Sequence, residues 1–318
     1  MGIRVGLIDV DAASRGKITF PNLALMKISA WHKAKGDTVE WYEPLISGHM
    51  DVVYMSRVFG DEYTKDYPWP VDADRVIRGG SGYAISVVDG EEVHNKDADQ
   101  PLPDEIERMC PDYSIYDFPS TAYGFLTKGC PRGCPFCLVE SMQGRRVVTV
   151  SHLSDWWHGE KRIVLLDPNI TASPDWRMHM HDLAMSEAKV DFSQGLDIRM
   201  MTPTKYTEIN QVRWERIHFA WDNPTDDLER NFAEAMQLLR NARKETVSAY
   251  VLTNSGSTHE QDLHRIMTLR KLGIQPYVMI KRKQTAPLIT RKLQRWVNSP
   301  MIFWKTDSFE EYQKEERA

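Results

Sequence analysis

The feature that most constrains the fold is a regular alternation of short apolar segments with longer amphipathic segments in the second half of the chain. Six segments have the length and apolar content of β-strands, namely 122–127, 162–166, 190–192, 216–220, 247–252 and 275–280. Amphipathic stretches of helical length separate them, such as 174–188, 226–244 and 259–272. Repeated strand–helix units predict a parallel sheet, and six of them predict a partial (β/α)6 barrel with its active site at the carboxyl ends of the strands.

The front of the chain predicts a second, smaller α/β domain. Strand-like segments lie at 4–10, 39–42, 51–56 and 75–77. A helix is predicted over 21–35, because apolar residues recur there at helical spacing between Pro21 and Gly36. The predicted α/β organisation is therefore a Rossmann-like parallel-sheet domain at 1–88, an acidic proline-containing linker at 89–119, a partial barrel at 120–285 and a C-terminal helical and aromatic extension at 286–318.

Composition favours a globular protein of the cytoplasm. The chain has 318 residues, of which 42% are hydrophobic, and no apolar run approaches the roughly 20 residues of a membrane span. Its first residues lead directly into strand-like sequence rather than into a signal peptide. We therefore expect a cytoplasmic protein without a membrane partner, in a compartment that keeps thiols reduced.

Charge is distributed unevenly along the chain. The segment 89–117 holds ten acidic and two basic residues, whereas 263–306 holds ten basic residues and no acidic one. Such asymmetry is typical of a docking surface for an anionic partner, for example nucleic acid or an acidic electron-transfer protein. The alternative is that the two segments neutralise each other or form separate solvated surfaces.

Three of the four cysteines lie within eight residues, in the sequence Cys130-Pro-Arg-Gly-Cys134-Pro-Phe-Cys137, after the first predicted strand of the barrel. Three thiolates on one short loop predict a metal site. A structural zinc site uses four ligands, whereas an iron–sulfur cube held by three cysteines leaves one iron open to a ligand. The zinc alternative would need Cys110 or a histidine as fourth ligand, although a lone cysteine is more typical of a packed thiol.

The C-x3-C-x2-C spacing, with Gly133 and Phe136 directly before the second and third cysteines, closely resembles the signature of the radical S-adenosylmethionine (SAM) superfamily. The resemblance covers most of residues 120–285. It implies that the three cysteines hold three irons of a 4Fe-4S cluster and that the fourth iron binds SAM. A one-electron reductant such as a flavodoxin or ferredoxin would then drive cleavage of SAM to a 5'-deoxyadenosyl radical.

Polar residues follow most of the predicted barrel strands, and the resemblance implies that several of them contact SAM. The expected SAM-binding residues are Phe136, Asp167, Asn169, Gln194, Asp197, Arg199 and Asp222. Carboxylates accept hydrogen bonds from the SAM ammonium and ribose hydroxyls, and arginine binds carboxylates in a fork geometry. Because Asp-Pro-Asn and Asp-Asn-Pro are also ordinary turn sequences, a structural role stays open for each residue.

The segment 74–83 resembles the late strand and glycine turn of the cobalamin-binding domain that precedes the barrel in one branch of this superfamily. The resemblance implies cobalamin as a further cofactor, contacted by Gly79, Gly80 and Ser81, and a methyl-transfer reaction. The Asp-x-His-x-x-Gly motif that supplies a histidine to cobalt in many such domains is absent after the first strand. Cobalamin bound without a protein histidine, or an empty domain that shapes the substrate pocket, are therefore both open.

The sequence leads to the hypothesis of a radical SAM iron–sulfur enzyme that acts on an unidentified substrate, with no catalytic side chain singled out. A different class is a nucleic-acid-associated metal-binding protein with structural cysteines. In that alternative the basic 263–306 stretch binds phosphates and Trp296, Phe303 and Trp304 stack on bases. A third hypothesis combines the two, as a radical SAM enzyme that modifies a nucleic acid.

Overall fold

The computed structural model describes residues 2–18, 20–118 and 120–315, except for the side chain of residue 315. The chain divides into two compact units. The first consists of Met1–Arg146 with Val150–Ile163, and the second of Val147–Thr149 with Val164–Ala318.

The first unit begins with a four-stranded parallel sheet in the order β2-β1-β3-β4. Its strands are β1 (Arg4–Asp9), β2 (Thr38–Trp41), β3 (Met50–Ser56) and β4 (Ala73–Gly79), and its helices are α1 (Val10–Arg15) and α2 (Leu23–Ala34). Asn22 caps α2 by accepting a hydrogen bond from the Leu25 amide. The strand order reverses between β1 and β3, and this topological switch point is the usual ligand position in a Rossmann-like sheet.

A hairpin that the sequence analysis did not predict follows this sheet. It consists of β5 (Ile85–Val88) and β6 (Glu91–His94), which pair antiparallel. Asp89 and Gly90 at its tip both have positive φ angles, of 51° and 76°. An Asp-Gly pair with positive φ is typical of a tight hairpin turn, so the signal was present in the sequence.

Residues 95–118 fold against the first sheet. They contain α3 (Asp104–Glu107) and a single helical turn, Tyr113–Ile115. The Tyr116 hydroxyl donates to Asp9 Oδ2 (2.6 Å) at the end of β1, and the Trp41 indole donates to the Ile115 carbonyl (2.9 Å). These contacts tie the acidic segment to the carboxyl ends of β1 and β2.

The rest of the described chain builds a six-stranded sheet in the order β14-β13-β12-β11-β10-β7. Its strands are β7 (Thr121–Gly124), β10 (Arg162–Leu165), β11 (Lys189–Phe192), β12 (Trp214–Ala220), β13 (Val247–Thr253) and β14 (Gln275–Ile280), and a separate pair is β8 (Thr127–Lys128) with β9 (Val148–Thr149). The pairings from β11 to β14 are parallel.

Helices alternate with these strands along the chain. They are α4 (Val139–Gln143), α5 (Trp176–Met185), α6 (Pro203–Ile209), α7 (Glu229–Leu238) and α8 (His259–Lys271), followed by α9 (Leu288–Val297), α10 (Pro300–Phe303) and α11 (Phe309–Glu315). The predicted fold class is confirmed: the protein is α/β, with a Rossmann-like parallel sheet followed by the strand–helix units of a partial (β/α)6 barrel.

The C-terminal helices pack onto β14 through apolar and amide side chains. Trp296 and Phe303 are both fully buried, with ring centroids 4.9 Å apart. At the edge of β14, both backbone groups of Val278 form hydrogen bonds with side chains: its amide donates to Asn298 Oδ1 (2.8 Å), and its carbonyl accepts from Gln294 Nε2 (3.0 Å). The expectation that Trp296 and Phe303 stack on bases is therefore wrong, because both rings belong to the core.

No helix in the described ranges is both long enough and apolar enough to cross a membrane.

Candidate functional site

The cysteine loop lies in the first unit, a few residues after β7. Cys130 and Cys134 are half-buried, Cys137 is exposed, and none of the three forms a disulfide. The Cys137 amide donates to the Cys134 carbonyl (3.0 Å), which closes the C-x2-C segment into a turn. Phe136, inside that turn, is half-buried. The turn brings two of the three cysteine backbones close together, as the spacing predicts.

The start of the loop is held by two hydrogen bonds to the segment after α4. The Cys130 amide donates to the Gly144 carbonyl (3.1 Å), and the Arg145 guanidinium donates to the Pro131 carbonyl (3.1 Å). Gly129, with φ of +92°, lies so close to Arg146 that a Cβ would be 2.2 Å from its carbonyl oxygen. Only glycine fits this approach, so the position fixes where the loop leaves the sheet.

The three thiols fit an iron–sulfur cluster by their chemistry, because thiolates are its usual ligands. Within the described ranges, no three His, Cys, Asp or Glu residues are arranged to hold a metal ion.

Cys110 lies elsewhere in the first unit. Its Sγ is 3.8 Å from the carbonyl oxygens of both Pro111 and Trp156. Burial raises the pKa of the Cys110 thiol above its usual range, which disfavours the thiolate form that binds metals. These contacts are typical of a packed thiol and give no support to Cys110 as a zinc ligand.

In the second unit, a chain of polar contacts joins the carboxyl ends of successive strands. After β10, the Thr171 hydroxyl accepts a hydrogen bond from the Asp197 amide (3.0 Å), which follows β11. Between β13 and β14, the Asn254 side chain donates to the Lys281 carbonyl (2.7 Å). We call the contacts that join neighbouring strand ends the strand-end chain. It also includes a contact from β11 to β12 and one from β12 to β13.

The link from β11 to β12 runs through Arg199. Its Nε donates to Asp197 Oδ1 and its Nη1 to Asp226 Oδ2, both at 2.8 Å. The two carboxylates hold the pKa of Arg199 above its usual value, although burial opposes them. Sequence analysis named Asp197 and Arg199 but missed Asp226. The group carries two negative charges and one positive charge, so it is a better acceptor of ligand donors than a binder of carboxylates.

The link from β12 to β13 runs through Asp222 and a buried arginine. Asp222 Oδ1 accepts a hydrogen bond from the Leu252 amide (3.2 Å). Arg265 of α8 donates to the carbonyls of Trp221 (2.6 Å), Asp222 (2.9 Å) and Leu252 (2.9 Å). Burial raises the pKa of Asp222 to about 6. Sequence analysis counted Arg265 only as a surface charge, yet it is 1% exposed and fixes two strand ends.

The remaining predicted SAM-binding residues differ in exposure. Asp167 and Asn169 are each 3% exposed, directly after β10, and Gln194 is exposed after β11. The structure therefore brings Asp197 and Arg199 into direct contact and places Asp222 in the next link of the strand-end chain. A role for any of them in SAM binding stays a prediction.

The glycine turn after β4 is packed tightly against the loop 57–59. A Cβ on Gly80 would lie 2.4 Å from one carbonyl oxygen of this loop, and a Cβ on Gly82 would lie 2.4 Å from another. The Ser81 hydroxyl donates to the Val58 carbonyl (2.9 Å). This packing explains the glycines at 80 and 82 without a ligand, and cobalamin contact at Gly79, Gly80 and Ser81 stays a prediction.

A cavity of about 430 Å³ lies at the carboxyl ends of β1 and β2 in the first unit. Its lining is mainly apolar and aromatic; it includes the rings of Trp41, Tyr42, Tyr67 and Trp69 and two acidic residues, Asp9 and Glu43. Burial raises the pKa of Asp9 in this lining. The Rossmann-like domain thus has an open space at the edge where such domains bind ligands.

No protein-family model and no curated protein matches this sequence. Among solved structures, the chain is similar to a radical S-adenosylmethionine methyltransferase, TsrM, from Kitasatospora setae with cobalamin and a [4Fe-4S] cluster bound. That match has a TM-score of 0.40 and 12% identity, and it covers 88% of this chain and 69% of that chain. A second match is the C-terminus of RcsC from E. coli, with linker region and phosphoreceiver domain, at a TM-score of 0.21, 15% identity and 96% coverage of both chains. Both TM-scores are below 0.5, so neither match supports a statement about the activity or cofactors of this chain.

Proposed function

We propose that this protein is a radical SAM iron–sulfur enzyme that reductively cleaves SAM and modifies a substrate yet to be identified. The observation that carries the proposal is the C-x3-C-x2-C loop, which follows the first strand of a six-stranded sheet built from strand–helix units. Three cysteines without a fourth ligand suit a cluster that keeps one iron open. Cobalamin-dependent methyl transfer is the finer form of this proposal.

In this proposal Cys130, Cys134 and Cys137 hold the cluster. When bound, the cluster would supply the electron that converts SAM into methionine and a 5'-deoxyadenosyl radical, chemistry that amino-acid side chains cannot perform.

The strand-end chain has the polar groups that a SAM molecule needs. Asp197 and Asp222 are carboxylates that can accept hydrogen bonds from its ammonium and ribose hydroxyls. Because Arg199 already binds two carboxylates, we assign it the role of fixing Asp197 and Asp226 rather than of binding the SAM carboxylate. Arg265 holds the ends of β12 and β13 together through the Trp221 and Leu252 carbonyls, and so keeps Asp222 in place for SAM.

The experiment that tests the proposal is anaerobic reconstitution of the full chain with iron and sulfide. We expect about four irons per chain, a spectrum typical of a 4Fe-4S cluster, and 5'-deoxyadenosine after reduction with dithionite in the presence of SAM. Cys130→Ala, Cys134→Ala and Cys137→Ala should each lose the cluster. Cys110→Ala is the matched control and should keep it, because this thiol is packed against carbonyl groups away from the loop.

Two results would overturn the proposal. Stoichiometric zinc with no SAM cleavage would make the cysteines a structural metal site. Equal loss of iron in Cys110→Ala would mean that the loop alone does not define the ligands. Bound cobalamin, sought by its absorption spectrum in the same sample, tests the finer proposal of methyl transfer.

A further inference from the structure

The two faces of the strands β11–β14 differ sharply in character. One face is apolar and almost completely buried; it carries Val190, Phe192, Ile217, Phe219, Val247, Ala249, Val251 and Val278, each at most 2% exposed. The other face carries polar and aromatic residues, namely Asp191, His218, Ser248, Tyr250, Tyr277 and Met279. On this second face Tyr277 is 48% exposed and Met279 is 46% exposed.

A row of three polar side chains crosses three adjacent strands on this second face. His218 Nδ1 lies 2.5 Å from the Ser248 hydroxyl of the neighbouring strand β13, within hydrogen-bond distance. On its other side, His218 Nε2 lies 3.6 Å from Asp191 Oδ1 on β11, an ion-pair distance for a protonated imidazole. The side chains of His218 and Asp191 are only 17% and 11% exposed. We call these three residues the histidine row.

Aromatic rings continue from the histidine row toward solvent. The His218 ring stacks on Tyr250, with centroids 5.4 Å apart and an interplanar angle of 14°. Tyr250 in turn meets Tyr277 edge to face at 5.9 Å, and its hydroxyl donates to the Ser193 carbonyl (3.0 Å). Burial raises the pKa of Tyr250 to about 12, so this phenol stays neutral in the physiological range. The rings form a path from a half-exposed tyrosine to a nearly buried imidazole.

This face does not have the composition of a structural core. Parallel strands are usually covered on both faces and read as continuous apolar runs, and the interior of a (β/α) barrel is dominated by branched apolar residues. Here a titratable row occupies the middle of the sheet beside half-exposed aromatic and thioether side chains. A face of this kind is suited to a ligand that stacks on aromatic rings and exchanges a proton.

We propose that this face binds the substrate, that the substrate is a planar aromatic or heteroaromatic ring with an ionisable O–H or N–H, and that the histidine row accepts its proton. The inference deepens the proposed function and rests on it for the reaction that follows. The substrate proton passes to Ser248 Oγ as the Ser248 proton passes to His218 Nδ1. Nε2 keeps its hydrogen toward Asp191, whose negative charge stabilises the resulting imidazolium. One proton leaves the substrate, one arrives on the imidazole, and nothing is oxidised.

The test uses 7-hydroxycoumarin, a planar fluorescent phenol that ionises near neutral pH and whose excitation spectrum separates the neutral from the ionised form. The full chain, without cluster or SAM, is titrated with this probe at a pH of about 6.5, where an ordinary histidine is half-protonated. We expect saturable binding and a ratio of ionised to neutral probe about tenfold higher in the bound state than in buffer, the change produced by about 1.4 kcal/mol of charge stabilisation.

Variants separate binding from proton transfer. His218→Gln and Ser248→Ala should still bind the probe but lose the spectral shift, because the rings of Tyr250 and Tyr277 remain while the proton acceptor or its relay is gone. Tyr277→Leu should weaken binding about tenfold and keep the shift in the bound fraction. Tyr63→Leu is the matched control, since this tyrosine is 44% exposed in the first unit, and it should change neither property. Circular dichroism verifies that each variant is folded.

The inference fails if the wild type does not bind the probe, or if Ser248→Ala and His218→Gln leave the ionised fraction unchanged. Its failure is distinguishable from failure of the proposed function, because probe binding needs neither cluster nor SAM. Cleavage of SAM without probe binding would refute only the inference. Probe ionisation in a protein that never cleaves SAM would refute only the radical SAM proposal.

Discussion

Replacement of Arg265 should be among the most destabilising single changes in the second unit. Its side chain is 1% exposed and donates hydrogen bonds to the three strand-end carbonyls, to the Gln261 carbonyl and to Asp262, whose side chain is 4% exposed. In Arg265→Met the aliphatic volume is nearly preserved, so packing loss is small. The change acts by leaving a buried carboxylate and three carbonyls without their donor.

The magnitude follows from these partners. Removal of one member of a buried ion pair costs about 3–5 kcal/mol, and each buried acceptor that loses its donor costs about 1–3 kcal/mol before the structure relaxes. Because these costs are not additive and water enters the gap, we expect a net loss of about 5 kcal/mol. That loss equals the whole stability of a weakly stable domain, so the variant should be partly unfolded at room temperature.

The assay is equilibrium urea unfolding followed by tryptophan fluorescence and far-UV circular dichroism. The double variant Asp262→Asn with Arg265→Met removes the buried charge and should recover about 2 kcal/mol relative to Arg265→Met alone. Arg291→Met, an exposed arginine of α9, is the control and should change stability by less than about 0.5 kcal/mol. A loss below about 1 kcal/mol in Arg265→Met, with no recovery in the double variant, would refute the reasoning.

Two further predictions concern the glycine turn and the pH dependence of stability. Gly80→Ala should destabilise the protein by about 2–4 kcal/mol, because the new side chain combines a positive φ with a steric clash. Gly48→Ala also has a positive φ but should cost only about 1 kcal/mol, because its Cβ would meet nothing within 4 Å. Thermal unfolding compares the two variants, and equal losses of stability would contradict the packing described. Burial raises the pKa of Asp222 from 3.8 to about 6, so the folded state holds this proton more tightly than the unfolded chain. The contribution of Asp222 to stability therefore falls as pH rises from about 4 to about 6. Asp222→Asn keeps the acceptor for the Leu252 amide and should flatten that slope in urea unfolding; an unchanged slope would show that other groups cause it.

The six strands of the barrel were predictable because each is a short apolar run bounded by turn sequences and helical periodicity. The predicted strand 275–280 coincides with β14, and the predicted helical extension at 286–318 contains α9. The hairpin β5–β6 was missed because its surroundings are acidic and rich in proline, which hides two short strands. Periodicity thus identified elements with a buried face and overlooked a hairpin whose valines are largely exposed.

The candidate site was less predictable than the fold. Local spacing was sufficient to single out the cysteine loop, since its donors are within eight residues. The strand-end chain depends on contacts between distant segments, such as Arg199 with Asp226 and Arg265 with the end of β12, and no local pattern encodes them. The basic stretch illustrates the same limit, because Arg265 and Trp296 within it are core residues rather than surface groups.

The amide side chains that bind Val278 have a consequence for solubility. A six-stranded parallel sheet that does not close has edges, and an unpaired edge is a template onto which a strand of another molecule can add. The side chains of Gln294 and Asn298 form hydrogen bonds with the backbone amide and carbonyl of Val278 on β14. The segment of α9 and its C-cap therefore covers this edge at Val278 as well as packing against the sheet. A chain shortened before Leu288 would therefore be more prone to self-association through β14.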